Sequence, residues 1–321
     1  GPLSLPGVSD VLVNGPGVVW VDRGTGLVDS GARVDSEREL RALAHRLVAA
    51  AGRRLDDARP FADARMPDGT RVHVVLPPIA SQGTTISLRV PPRRTFSLDD
   101  LVAAASIAPE GAVLLQRVVA ARLSLVVTGG TGTGKTTVLS TLLSEVDPRH
   151  RLVLVEDAAE LRPRHPHVVR LEARPANAEG AGAVDLSALV RQALRMRPDR
   201  LVVGEVRGAE VTDLLAALNT GHEGGCATVH ANRPGDVPAR FEALGAAAGL
   251  SRSTTHAQLI AGLQAVVHLH RDRHGRRVVD SLSVIDADAG IARVRVGMWL
   301  APGRYGPGPA AEALAELVDA A

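Results

Sequence analysis

Lysine occurs once in this 321-residue chain, at Lys135, although lysine and arginine together number 37. The segment around that lysine constrains the fold more than any other. Gly129-Gly130-Thr131-Gly132-Thr133-Gly134-Lys135-Thr136 fits G-x-x-x-x-G-K-[ST]. A short apolar run, Leu125 to Thr128, leads into it, and Thr136 to Leu143 reads as the helix that follows. Strand, glycine turn and helix together form a unit whose backbone amides turn inward around phosphate oxygens, with the positive end of the helix aimed at them. A compact ammonium enters between two phosphates where the wide planar fork of arginine does not. That difference gives a physical reason for one lysine to persist among arginines. The implied ligand is a nucleoside triphosphate, bound by Gly129 through Thr136 and the adjoining Thr137, with the Thr136 hydroxyl facing Mg2+.

The rest of the chain alternates in a way that extends this unit. Apolar runs recur at Leu152 to Val155, Val168 to Leu171, Leu201 to Val203 and Ala227 to Val229. Helical periodicity falls near Leu186 to Arg195 and Val211 to Leu218. Such a rhythm predicts a mostly parallel sheet covered by helices. From Val266 to Val296 the pattern becomes hairpin-like, turning at Asp272-Arg273-His274-Gly275.

The front of the chain differs. Val11-Leu12-Val13 and Val18 to Val21 read as strands around the turn Asn14 to Gly17. Glu37 to Ala51 has the spacing of an amphipathic helix, and Arg71 to Leu76 and Thr85 to Val90 read as further strands. The expected organisation is therefore a smaller α+β domain over residues 1–94 and an α/β domain over 95–321, joined by a linker at about 91–97 that contains Pro91-Pro92-Arg93-Arg94. Ser97-Leu98-Asp99-Asp100 then resembles a helix start.

Composition narrows the class. Aromatic residues make up 2% of the chain, so the core is aliphatic and no base-stacking platform is expected. A formal charge of +2 gives no strong field toward nucleic acid, and no stable nucleic-acid binding is expected. Cys226 is the lone cysteine, which excludes an internal disulfide and fits a reducing cytosol. No stretch approaches the length of a membrane span, and the N-terminus lacks a signal-peptide pattern. Gly1-Pro2 resembles the remnant of tag cleavage, so the natural chain is expected to begin earlier.

Two acids stand at the ends of apolar runs: Glu156, followed by Asp157, after Leu152 to Val155, and Glu205 after Leu201 to Gly204. In an open parallel sheet the carboxyl ends of the strands form the ligand crevice. One acid is needed beside Mg2+ and one to orient or deprotonate water. Thr220 to Asn232 adds His222 and His230. Spacing alone favours structural histidines there, although an imidazole near a γ-phosphate can sense it by hydrogen bonding. His268, His270 and His274 alternate beside a turn, which reads as a surface pattern rather than a zinc site. Arg271, Arg273, Arg276 and Arg277 read as a solvated basic turn, with contact to an anionic membrane or an acidic partner as the alternative.

Taken in order, the loop at 129–136, Val155 to Glu160, Arg197 to Gly208 and Thr220 to Asn232 resemble the Walker A, Asp box, Walker B and His box of the type II/type IV secretion ATPase superfamily. Val168 to Asn177, Asp10 to Gly15 and Pro67 to Arg71 resemble its CpaF/TadA branch, which serves Tad-type (Flp) pili. The resemblance runs from about residue 8 to about 300. It implies a RecA-like P-loop NTPase motor domain with a smaller N-terminal α+β domain, binding of ATP and Mg2+, and a cytoplasmic homo-oligomer, a hexamer, working on an inner-membrane platform protein from the membrane face. It marks Glu156 as the Asp-box acid that orients water and Glu205 as the Walker B acid on the Mg2+ side, with the reverse assignment open. It also marks His222 and His230 as His-box residues and Arg71 and Arg89 as arginines reaching the nucleotide. A RecA-like DNA-handling or conjugative-transfer ATPase is the alternative. Gly225-Cys226-Ala227 stands where serine-containing versions are familiar.

Overall fold

The computed structural model describes residues 1–24, 26–90, 95–174, 176 and 181–320. Residues 91–94 of the expected linker lie outside the described residues, as do Pro175 and Asn177 of the branch-like segment. The packing divides the chain into two units, Gly1–Arg94 and Thr95–Ala321.

The first unit contains β1 (Asp10–Asn14), β2 (Gly17–Asp22), β3 (Leu27–Val34), α1 (Glu37–Ala50), β4 (Phe61–Arg65), β5 (Arg71–Val75) and β6 (Thr85–Arg89). The strands form an antiparallel sheet in the order β3-β2-β1-β6-β5-β4. Alternate residues, among them Val11, Val21, Ala64, Val72 and Leu88, bury against Leu40, Ala44 and Val48 of α1. Period-2 alternation on a half-covered sheet explains why these strands carry apolar residues on one face only. The helix begins at Ser36, whose hydroxyl accepts from the Glu39 N–H at 3.3 Å, and Glu37 bonds Thr84 through its hydroxyl at 2.6 Å. The first bond is a side-chain N-cap; the second ties the first helical turn to the residue before β6. β3 and β4 were not anticipated. The polar, largely exposed Leu27–Val34 and the short Phe61–Arg65 lack the β-branched runs that mark a strand in sequence.

The second unit contains α2 (Leu98–Ala103), α3 (Pro109–Ala120), β7 (Leu125–Gly129), α4 (Lys135–Ser144), β8 (Leu152–Glu156), β9 (Val168–Glu172), α5 (Leu186–Leu194), β10 (Arg200–Val203), α6 (Glu210–Leu218), β11 (Cys226–Val229), α7 (Val237–Ala247), α8 (Arg252–Gly262), β12 (Ala265–Arg271), β13 (Arg277–Asp288), β14 (Ile291–Trp299), β15 (Gly306–Pro307) and α9 (Ala311–Asp319). The nine strands form one sheet, ordered β15-β14-β13-β12-β7-β11-β10-β8-β9. β12 through β9 run parallel, and β13 to β15 add an antiparallel margin.

Both faces of the parallel part are covered. Leu125, Val127, Leu152, Leu154 and Val202 pack on one side with α3 and α4. Val126, Val153, Val155, Leu201 and Val203 pack on the other with α5, α6, α7 and α8. Burial on two faces requires continuous apolar runs instead of alternation, which is what made these strands readable. Among the described residues no helix is long and apolar enough to cross a membrane.

Candidate nucleotide site

Four adjacent strands, β7-β11-β10-β8, run parallel and so end on the same edge of the sheet. Each contributes one chemical element there. β7 runs into the glycine loop, β11 is followed at once by His230, β10 by Gly204 and Glu205, and β8 ends in Glu156. Segments more than 100 residues apart in sequence thus meet through strand register.

The loop is shaped by close approach and by backbone sign. A Cβ on Gly129 would lie 2.4 Å from the Leu269 carbonyl oxygen, because β12 pairs alongside. Gly134, which caps α4, has φ of 100°, in the left-handed region that side chains resist. Thr133 Oγ1 closes the turn on the Gly130 carbonyl at 2.9 Å. Lys135 is 8% exposed and donates from Nζ to the carbonyls of Gly129 at 3.0 Å and Gly130 at 2.9 Å. Burial lowers its pKa, and the nearby Glu205 carboxylate opposes that shift.

Glu205 Oε1 accepts from His230 Nε2 at 2.9 Å. Burial, with the Lys135 ammonium, lowers the His230 pKa against the pull of Glu205. The imidazole is therefore neutral near pH 7. Lys135, Glu205 and His230 form one electrostatic cluster.

Glu156 is 4% exposed. Its Oε1 accepts from the Glu160 and Leu161 N–H groups, each at 2.9 Å, and its Oε2 is buried without a hydrogen-bond partner. Desolvation lifts its pKa to about 7, despite those two backbone bonds. The side chain lies against Gly204, where a Cβ would approach its Cγ to 2.7 Å. Asp157, next in sequence, pairs with Arg207 at 2.5 Å. Buried Glu210 accepts from the Arg207 N–H at 2.6 Å and the Gly208 N–H at 2.8 Å, which fixes the turn after β10.

One expected grouping is not found within this unit. His222 precedes β11, whereas His230 follows it. Four residues of extended chain separate their ends of the strand by roughly 13 Å. His222 stands on the opposite edge of the sheet, where the Gly225 carbonyl accepts from the Leu125 N–H at the start of β7. Its Nδ1 is buried without a hydrogen-bond partner. The His box is contiguous in sequence but spans the sheet, so His222 does not join the Lys135–Glu205–His230 cluster.

Arg71 and Arg89 lie in the first unit. They are direct cross-strand partners, and Arg65 is the partner of Arg71 on the other side. The row continues to Asp10, 3.5 Å from Arg89. Three arginines side by side lie on the face away from α1, since their neighbours Ala64, Val72 and Leu88 bury against it. Like charges in register cost stability, and Asp10 offsets that cost at one end of the row. Arg65 was missed in sequence because only the register of β4 aligns it with the others.

The four arginines of the basic turn after β12 are all exposed, as expected, and they also make specific contacts. Arg276 pairs with Asp272, and Arg273 donates to His274. Arg271 and Arg277, however, both donate to the Gly132 carbonyl, each at 3.0 Å. The alternating histidines have separate partners: His268 is buried with its Nδ1 2.8 Å from Thr128 Oγ1, and His270 lies 3.7 Å from Asp280.

The donor set fits Mg2+–triphosphate on two observations. The loop is a cradle that a Cβ would disrupt at Gly129, and one carboxylate oxygen of Glu156 is buried with nothing to bind. A RecA-like phosphate-loop sheet covered on both faces, preceded by a smaller α+β unit, is the class that fold and site define. The chain belongs to the type II/IV secretion system protein family, whose sequence profile matches residues 2–295. A putative conjugal transfer protein of Mycobacterium tuberculosis (strain ATCC 25618 / H37Rv) is 57% identical over 289 residues, covering 88% of this chain and 82% of that protein. The conjugal transfer protein TrbB of Rhizobium radiobacter is 32% identical over 284 residues, covering 86% of this chain and 84% of its own. The crystal structure of the pilus retraction motor PilT with bound ADP matches with a TM-score of 0.61 at 20% identity, over 87% of this chain and 78% of that one. That last likeness is one of fold.

Proposed function

We propose that this protein hydrolyses ATP and converts the cycle into movement for a secretion or pilus-assembly machine. The observation that carries the reading is the convergence of the glycine loop, His230, Glu205 and Glu156 on one edge of four adjacent strands. Lys135 and the loop amides grip the β- and γ-phosphates. Glu156 is poised between its acid and base forms near neutrality. Its ionised Oε2 takes a proton from the attacking water as the water oxygen bonds to the γ-phosphorus, and the bond from that phosphorus to the β–γ bridging oxygen breaks. Neutral His230 has a single N–H, which Glu205 accepts here; transferred from that acceptor to the γ-phosphate, the same N–H reads the nucleotide. Thr136 and Glu205 would hold Mg2+, which offsets charge on the phosphate oxygens when it is bound. The arginine row, Arg71 and Arg89 with Arg65, is suited to the charge that develops during phosphoryl transfer.

In this reading the protein works as a ring, a hexamer, in the cytoplasm at the inner-membrane face. It pushes or turns a membrane platform protein, and it belongs to the CpaF/TadA-like branch that builds Tad-type pili. A conjugative-transfer ATPase is the second reading, favoured by the names of the M. tuberculosis and R. radiobacter relatives. Phosphate release from Mg-ATP, compared between the wild-type chain and Lys135→Ala, tests the common core: equal turnover in the two would refute hydrolysis at this site. DNA-stimulated turnover at physiological salt would favour the second reading.

A further inference from the structure

β12 outruns its neighbour. Leu269 pairs with Gly129, the last residue of β7, and β12 then continues through His270 to Arg271. The hairpin that follows therefore overhangs the glycine loop. Its turn is closed by Asp272, which accepts from the His274 and Arg276 N–H groups at 2.8 and 2.9 Å and from Arg276 Nε at 2.7 Å. Arg271 and Arg277 face each other in register at the base of that turn. Two cations directly opposed on a strand pair repel, yet both point at one acceptor, the Gly132 carbonyl, at 3.0 Å each. Arg271 also holds the Gly275 carbonyl at 2.9 Å, which ties the guanidinium to its own hairpin. Both side chains lie alongside the loop: a Cβ on Gly132 would lie 3.4 Å from Arg271 Nη2, and one on Gly134 would lie 3.5 Å from Arg277 Cδ, both ordinary contacts.

We propose that Arg271 and Arg277 are positioning residues that clamp the phosphate loop from outside through the Gly132 carbonyl and thereby raise its affinity for a triphosphate. Two mechanisms act together. Hydrogen bonds at a peptide oxygen polarise the same peptide, so the Thr133 N–H becomes a stronger donor. A fixed loop also loses less conformational freedom when it closes on an anion. The clamp rests on the reading of the loop as a nucleotide site.

The test compares the full chain with the double variants Arg271→Gln/Arg277→Gln and Arg271→Lys/Arg277→Lys. Affinity for a fluorescent, non-hydrolysable ATP analogue with Mg2+, steady-state turnover, and amide hydrogen exchange of the nucleotide-free protein are measured on each. The glutamine pair is expected to bind about tenfold more weakly, the scale of two exposed charge-assisted hydrogen bonds. Its KM should rise by a similar factor with kcat held within about twofold. Exchange in residues 129–136 should quicken while β12 and β13 stay protected, which separates a released loop from a misfolded hairpin. The lysine pair, which keeps the charge and a donor, should recover part of the loss. Unchanged affinity in the glutamine pair overturns the clamp. So does weaker binding with unchanged loop exchange, which would reduce the arginines to a background field. A wild-type chain that binds the analogue no better than Lys135→Ala overturns the nucleotide reading and the clamp with it.

Discussion

Replacing Glu156 by glutamine should make the folded protein more stable in alkali while stopping its chemistry. The carboxyl is 4% exposed and its pKa rises from 4.5 to about 7, first through desolvation. Below pH 4.5 it is protonated in folded and unfolded chains alike and adds no pH dependence. Between pH 4.5 and about 7 the unfolded chain releases this proton and the folded chain does not, so stability falls as pH rises. Above pH 7 both are ionised and the full penalty is present. A separation of about 2.5 pH units corresponds to about 3 kcal/mol at about 1.4 kcal/mol each. Glutamine removes the penalty and keeps an oxygen for the Glu160 and Leu161 N–H groups. Its amide N–H2 replaces Oε2, which has no partner, at a pH-independent cost of about 1–2 kcal/mol. The offset between the proteins is thus uninformative and the slope is decisive. Denaturant unfolding of both nucleotide-free proteins from pH 4.5 to 8.5 should give a stability difference that moves toward the variant by about 3 kcal/mol. Turnover of the variant should drop at least about 100-fold, the scale of a lost general base, and wild-type turnover should climb as pH rises through about 7. A difference in stability that stays flat with pH would refute the assignment of a desolvated acid with a raised pKa at this strand end.

Other expectations follow from the same geometry. Lys135→Arg should lose nucleotide binding as Lys135→Ala does, because one compact ammonium serves two carbonyls at 3.0 and 2.9 Å, a geometry the wide planar fork of arginine does not reproduce; calorimetric titration with Mg-ADP checks this. Gly129→Ala should destabilise the second unit by about 2–4 kcal/mol, since its Cβ would stand 2.4 Å from the Leu269 oxygen, as read by thermal unfolding. His230→Ala should cut turnover by at least about tenfold, whereas His222→Ala should leave the affinity of the isolated chain for nucleotide within about twofold, which a binding titration of both variants will separate. Arg65→Gln should lower turnover with Arg71→Gln and Arg89→Gln if the row acts as one anion surface, and phosphate release on the three single variants measures it.

Much of this site was legible because its parts follow rules of local sequence. The glycine loop is fixed by a contiguous spacing, and Glu156 and Glu205 stand out as acids after apolar runs that only a doubly covered parallel strand explains. The parts that escaped depend on register. Arg65 joins Arg71 and Arg89 only once β4, β5 and β6 are aligned, and β4 itself, Phe-Ala-Asp-Ala-Arg, has no β-branched residue to announce it. Arg271 and Arg277 were visible as a basic turn, but their acceptor lies 139 and 145 residues away. No periodicity carries that information. The environment that raises the Glu156 pKa was equally hidden, since it arises first from burial, which no local spacing reveals, and the loop amides only oppose it.

The two ends of the His box show why contiguity misleads in a parallel sheet. Thr220 to Asn232 is a single motif in sequence, but β11 carries it from one edge to the other. At the far end its residues are tied to structure. The Gly224 carbonyl is held by Arg200 Nη1 at 3.4 Å, and the same guanidinium bonds the Val119 carbonyl near the end of α3 at 2.7 Å. Arg200 is 2% exposed, and desolvation is what lowers its pKa. A buried cation of this kind is tolerated where carbonyl dipoles and a helix C-terminus offset its charge. At the near end Thr228 Oγ1 donates to the Gly204 carbonyl at 2.6 Å and the Val206 N–H donates to the Thr228 carbonyl at 2.8 Å. Those bonds hold the turn bearing Glu205 beside the strand bearing His230. One end of β11 therefore anchors the strand between α3 and β10, and the other aligns two side chains for chemistry. Replacing Arg200 by methionine should loosen the anchoring end first, detected as faster amide exchange at residues 220–226. Loss of the Glu205–His230 pairing without that change would contradict the division of labour.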